Sequence, residues 1–267
     1  MKPYAHKWHP PGMVAFCTAG WPRIEDFWLS VNALFVPDGT LLSKASGVGI
    51  ATMMTGFANQ FMTYCLHCAR KAKETGKDVD SCPHGESGRL QWMWILGDDH
   101  VFAENILHTL IDRAEQFKCD VLAPLVCRKV PPFDSVMFLT DRPLDFHDLP
   151  MQTDPVPVFR VGTAGMLIQR RVFEAMAKTP DVSPFRGTAM DTNQVGEDIH
   201  FCDLAQSLGF RIWVDPTQAM GHAPYGVSLW PVRMNDGSWM LQIQFPDQRS
   251  VLMSLERPDR SLTQPKA

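Results

Sequence analysis

The chain has 267 residues, 45% of them hydrophobic and 20% charged, with a formal net charge of −4 and an isoelectric point near 6.1. That length and composition allow a full buried core in one large domain over 1–267. The acidic balance argues against a protein that grips nucleic acid mainly by neutralising phosphates, and no window offers the roughly 20 apolar residues of a membrane span. The N-terminal stretch MKPYAHKWHPPGMVAF lacks the long apolar run of a secretory signal, and the seven scattered cysteines suit a reducing compartment, so a cytoplasmic location is expected.

Val14 to Thr18 is a short apolar run closed by Ala19-Gly20, which predicts a buried first strand. Helical spacing follows from Asp26 to Leu34 and stops at Pro37-Asp38-Gly39, with a short strand near Leu41. Gly49 to Arg70 reads as a second helix, and the polar residues 71–89 read as an insertion away from the core. The strongest strand is Leu90-Gln91-Trp92-Met93-Trp94-Ile95-Leu96, which runs into Gly97-Asp98-Asp99-His100. A helix from Ala103 to Lys118 and a strand from Asp120 to Val126 come next. Buried strands alternating with amphipathic helices define an α/β sheet covered on both faces.

Val130 to Pro157 is rich in Pro, Asp and Phe without a clear period, and is expected to be a long surface segment over the sheet edge. Beyond it come strands at 158–161 and 165–168, a helix at 170–178, a loop at 179–194 and a helix at 197–208. Gly209 is a candidate C-cap before the strand 210–214. Within the tail 226–267, a hairpin from Trp230 to Phe245 turns at Asn235-Asp236-Gly237.

Two adjacent carboxylates at the end of a buried strand repel each other unless a cation neutralises them, and the C-terminal ends of strands are where open α/β sheets bind ligands. Asp98 and Asp99 therefore suggest a hard divalent ion, Mn²⁺ or Mg²⁺, although either could instead cap the helix near Ala103. Glu197-Asp198 reads equally as favourable charge at a helix N-terminus. His222, taken alone, is an ordinary loop histidine, and Gly162-Thr163 is either a plain tight turn or a close-approach loop. Cys65 and Cys68, followed by Cys82 and His84, have the ligand types of a structural Zn²⁺ site. Cys65 and Cys68 also fit as small core residues of a helix.

The segments WMWILGDDHVF, CDVLAPLVCRKVPPF, VGTAGMLIQRRVFEAM and GEDIHFCDLAQSLGFRIWVDPTQAMGH resemble, in that order, the GT-A glycosyltransferases of the family 2 type and their mannosylglycerate-synthase-like relatives, small phage and bacterial members included. The resemblance spans roughly residues 12 to 225. It implies a GT-A-like, mainly parallel mixed sheet with helices on both faces, a UDP- or GDP-sugar donor and a divalent metal. Asp98 and Asp99 correspond to the Asp-x-Asp region, with Asp99 on metal and diphosphate. His222 stands as the second metal ligand, and Glu197-Asp198 faces the acceptor, with Asp198 as general base if the reaction inverts configuration. Thr18, Gly20, Asn59, Asp98, Gly162 and Thr163 form the expected donor-binding set. The acceptor is open and includes a modified DNA base, which would place a phage-encoded enzyme in the host cytoplasm. Gly97 stands where the family usually has a carboxylate, and Ala58-Asn59 where many members have Arg-Asn. A nucleotidyltransferase, with Lys44 and Ser46-Gly47-Val48-Gly49 as a thin phosphate loop, or an inactive nucleotide-sugar-binding module would share these parts.

Overall fold

The computed structural model describes residues 9–18, 25–46, 49–74, 90–139, 143–149, 153–186, 196–223 and 226–255. Its first half holds β1 (Met13–Thr18), α1 (Glu25–Ala33), β2 (Leu41–Ser46), α2 (Ile50–Glu74), β3 (Trp92–Gly97), β4 (His100–Val101), α3 (Ile106–Phe117) and β5 (Val121–Leu125). The second half holds β6 (Met137–Phe138), β7 (Val156–Val158), β8 (Arg160–Val161), β9 (Met166–Gln169), α4 (Arg170–Ala177) and α5 (Glu197–Ser207). The chain then continues through β10 (Ile212–Ala219), β11 (Gly221–His222), β12 (Ser228–Arg233), β13 (Trp239–Gln244) and β14 (Ser250–Ser254).

The main sheet has seven strands in the order β2-β1-β3-β9-β5-β10-β7. β1, β2, β3, β5 and β10 share one direction, and β9 and β7 run against them, so the fold is a mixed, mainly parallel α/β sheet. Successive side chains of a strand point to opposite faces, and both faces here are apolar. Met93 and Ile95 of β3 join Met53, Phe57, Phe61, Phe173 and Phe201 from α2, α4 and α5 in one core. Trp92, Trp94 and Leu96 join Phe27, Ile106, Leu107 and Leu110 from α1 and α3 in the other. Each large side chain removed fully from water contributes about 1.5–3 kcal/mol. The two tryptophans also satisfy their polar ends, Trp92 Nε1 donating to Pro10 O at 2.9 Å and Trp94 Nε1 to Gly165 O at 2.8 Å.

The segment expected to lie on the surface from 130 to 157 instead feeds the core. Met137, Leu144, Phe146 and Leu149 are buried there, and the buried Ser135 hydroxyl donates to Leu144 O at 2.6 Å. Its side chains follow irregular backbone, so no periodicity announces them. The helix after the Asp pair begins at Ile106 with Asn105 as N-cap, which removes helix capping as the task of Asp98 or Asp99. The helix expected to end at Arg70 continues to Glu74, and the remainder of the 71–89 insertion lies outside the described residues.

A second sheet, β14-β13-β12-β11-β4, stands at the end of β3. The chain reaches it through a bulge in β10, where the register with β5 shifts between Asp215 and Ala219. Asp215 pins the bulge: fully buried, it accepts from Arg113 Nε at 2.8 Å, Thr217 N at 2.9 Å and Thr217 Oγ1 at 2.7 Å. The bulge redirects the strand so that β11 arrives beside β4. The hairpin of β12 and β13 turns as expected, with Gly237 at a φ of 85° closing back on Met234 O. Among the described residues, no helix is long and apolar enough to cross a membrane.

Candidate metal centre and cleft

β3 delivers the Asp pair to the sheet's C-terminal edge, where Asp98 N donates to Cys17 O of β1 at 3.2 Å. The chain turns at Asp98-Asp99 and enters β4, whose His100 pairs across the ladder with His222 of β11. Ala223 N donates to Asp99 O at 2.7 Å and locks the turn to the far strand. Residues 123 apart in sequence are thereby brought into contact: His222 Nε2 lies 3.2 Å from Asp99 Oδ2.

Hydrogen bonding fixes how each imidazole presents itself. His222 Nδ1 lies 2.8 Å from Cys127 O, and a carbonyl only accepts, so Nδ1 carries a proton. In the neutral ring Nε2 is then a lone pair facing a carboxylate, and either a proton or a metal cation has to stand between them. His100 Nδ1 lies 3.0 Å from Asp99 Oδ1 and 3.2 Å from Gly97 O, both acceptors, so it too carries a proton and steers the carboxylate. The two rings stack at 4.8 Å and 17°. One ligand atom each from Asp99, His100 and His222 all lie within 4.8 Å of one another, and this donor set fits a divalent ion. Burial opposes the Asp99 charge, but hydrogen bonds from His100 and His222 and their attraction outweigh it, holding the carboxyl far below the usual carboxylate range. Lys129 Nζ adds a contact to Asp99 Oδ2 at 3.1 Å.

Gly97 is set by this geometry. A Cβ there would stand 2.9 Å from Asp99 Oδ1 and 3.1 Å from His100 Nδ1, so a side chain at this position competes with the hydrogen bond that orients the carboxylate.

These groups line a cleft of about 510 Å³. Across it stands Asp198 in the first turn of α5, where Ile199 N donates to its Oδ1 at 2.7 Å. Burial, aided by the Glu197 charge and opposed by the Ile199 N–H, pushes the Asp198 carboxyl above its ordinary value of 3.8. Gly196 allows this rotamer, since a Cβ there would lie 2.5 Å from Asp198 Oδ1. Cys17 lies at the floor, its thiol pushed up to about 12 by burial and by the charges of Asp98 and Glu197.

Of the expected site residues, Asp98, Asp99, Gly162, Thr163, Asp198 and His222 share the cleft. Thr18, Asn59 and Glu197 are not among its lining residues. The Thr18 hydroxyl is turned to Ala45 O at 3.0 Å, tying β1 to β2, and Asn59 is exposed on α2. Glu197 opens α5 and acts on the cleft through its charge. Gly20 lies outside the described residues, as do Cys82 and His84. Cys65 and Cys68 fall within α2, their side chains outside the described set. Sequence reasoning missed His100, Arg128 and Lys129, which also line the cleft. His100 directly follows the Asp pair, and its alignment with His222 depends on a strand pairing that local sequence does not reveal.

No family profile matches the chain, and no curated protein matches it. Among solved structures the chain is similar to A197 from STIV, with a TM-score of 0.48 and 14% identity over 91% of this chain and 94% of that one.

Proposed function

We propose that the cleft is the active site of a divalent-metal-dependent glycosyltransferase that moves a sugar from a nucleoside-diphosphate sugar to an acceptor hydroxyl. The observation that carries this reading is the convergence of Asp99 and His222 at the sheet's C-terminal edge, with the raised carboxyl of Asp198 lining the same cleft. Asp99 and His222 would hold the ion, with His100 as third donor where the cation takes the place of its Nδ1 proton, and the imidazoles favour Mn²⁺ over Mg²⁺. A bound cation supplies Lewis-acid stabilisation of the charge that builds on a departing diphosphate. Arg128 and Lys129 add positive charge to the same wall, preorganised for that anion. Asp198, half-buried in the cleft with its carboxyl raised above the ordinary value, has the properties of a base that takes the acceptor's proton.

A nucleotidyltransferase is less well supported, because Lys44, the cation of the thin phosphate loop, stacks its Nζ 4.6 Å over the Trp28 ring. The two activities separate in one assay. The purified protein is incubated with Mn²⁺ and either UDP- and GDP-sugars or nucleoside triphosphates, while small alcohols, glycans and hydroxylated DNA bases are screened for an added hexose or pentose by mass. Release of UDP or GDP that disappears with EDTA and in Asp99→Ala supports glycosyl transfer. Pyrophosphate release would replace it with the nucleotidyl reading, and donor binding without turnover would make the protein a binding module.

A further inference from the structure

We infer that the protein carries a second cation site, built from His9, Asp112 and Glu115 and suited to a zinc-class ion that clips the segment entering β1 onto α3. One ligand atom from each of the three lies within 4.8 Å of the others. Asp112 and Glu115 stand three residues apart on α3 and so share a helix face, with His108 one turn earlier on that face. His9 comes from outside the helix and is what makes the group more than surface acidity. Its ring is 4% exposed and makes no hydrogen bond among the described residues, and its Nδ1 is fully buried without a partner. Its Nε2 is aimed at Asp112 Oδ2 at 3.8 Å, too long for a hydrogen bond. That spacing is close to the roughly 3.4 Å edge of a tetrahedron with metal bonds of about 2.0–2.2 Å. The His9 ring meets His108 edge to face at 4.8 Å and 63°, which places a second imidazole beside the same group.

A buried imidazole with Nδ1 unpartnered and Nε2 no closer than 3.8 Å to Asp112 Oδ2 has lost hydration that the protein replaces only weakly, and a cation on Nε2 restores part of it. Neutral imidazole with two carboxylates is a donor set that Zn²⁺ accepts, the fourth position going to water or His108. The ion would hold a segment already tied to β3 by Pro10 O and Pro11 O, which accept from Trp92 Nε1 and Gln91 N. Its role would be structural, apart from the cleft chemistry.

The test counts zinc per chain by elemental mass spectrometry after EDTA stripping and dialysis against Zn²⁺. The full-length protein is used in an Asp99→Ala/His222→Ala background, so that the cleft contributes no ion. Adding Asp112→Asn and Glu115→Gln is expected to remove one equivalent of zinc and to abolish part of the zinc-dependent rise in Tm. Any zinc on the Cys65, Cys68, Cys82 and His84 group is common to both proteins and cancels in the difference. An unchanged zinc count and an unchanged rise in Tm overturn the proposal. His9→Ala should reproduce the loss; because that side chain is buried and its removal also costs packing, the exposed and half-exposed carboxylates of Glu115 and Asp112 decide the outcome.

Discussion

Asp99 Oδ2 and His222 Nε2 stand 3.2 Å apart because two backbone links, His100 against His222 and Ala223 N to Asp99 O, deliver them from opposite ends of the chain. With His222 Nδ1 committed to Cys127 O, the gap is filled by a proton or by a metal, so the two compete. Mn²⁺ binding, followed by loss of the free-ion paramagnetic signal, is expected to weaken in His222→Ala, which removes the Nε2 donor facing Asp99. Asp99→Ala should abolish binding and lower turnover by about 10²–10³-fold. Binding that is insensitive to both His222→Ala and Asp99→Ala would place the ion elsewhere.

Gly97 occupies the position where a carboxylate was expected from resemblance, and the space explains the difference. A Cβ would press on Asp99 Oδ1 and His100 Nδ1, two atoms already bonded to each other. Gly97→Ala should therefore weaken Mn²⁺ binding at least about 10-fold, with a stability cost on the order of 1–3 kcal/mol from overpacking. Gly97→Asp should be no better. Higher activity in Gly97→Asp would mean that a missing nucleotide contact, not crowding, is what matters here.

The cores of β1, β3, β5 and β10 and the helices α3 to α5 were legible because continuous apolar runs and helical spacing register burial directly. Strand direction was not. β9 sits antiparallel between β3 and β5, and its run Met166 to Ile168 is as apolar as that of its parallel neighbours. The Asp pair was legible as chemistry, two carboxylates at the end of a buried strand, whereas its partnership with His222 rested on the resemblance, since His222 taken alone reads as an ordinary loop histidine. His100 was passed over because its value lies in the ladder that pairs it with His222, and that ladder depends on the bulge at Asp215. A buried Asp within Val-Asp-Pro-Thr gives no local sign of redirecting a strand.

Cys17, Cys119, Cys127 and Cys202 are buried, and burial pushes each thiol up to about 12. At about pH 8 the thiolate fraction is then on the order of 10⁻⁴, so iodoacetamide should leave all four unmodified in the native protein and label them in urea. Cys17 is the informative one, since it lines the cleft and the charges of Asp98 and Glu197 add to the effect of burial. Peptide mass mapping should find it slightly more reactive in Asp98→Asn, which removes one of those charges. Rapid native labelling of Cys17 would mean that its burial or its anionic surroundings are not as described.

The carboxyl of Asp198 is raised because burial, helped by Glu197, penalises its charge more than the Ile199 N–H relieves it. The folded protein therefore holds a proton that the unfolded chain has already lost above the ordinary value of 3.8. More protons on the native state mean that stability falls as pH rises through that window, and at neutral pH the charged group is a net cost. Asp198→Asn keeps an oxygen for the Ile199 N–H but never ionises. Its Tm should exceed that of the wild type near pH 7, and the difference should vanish near pH 3, where both side chains are neutral. The same substitution should lower turnover by about 10²–10⁴-fold and abolish the rise of kcat/KM with pH that a base of raised pKa imposes. Lost turnover without the gain in stability would show that burial does not penalise the Asp198 charge; a gain in stability with turnover intact would show that Asp198 is not the proposed base.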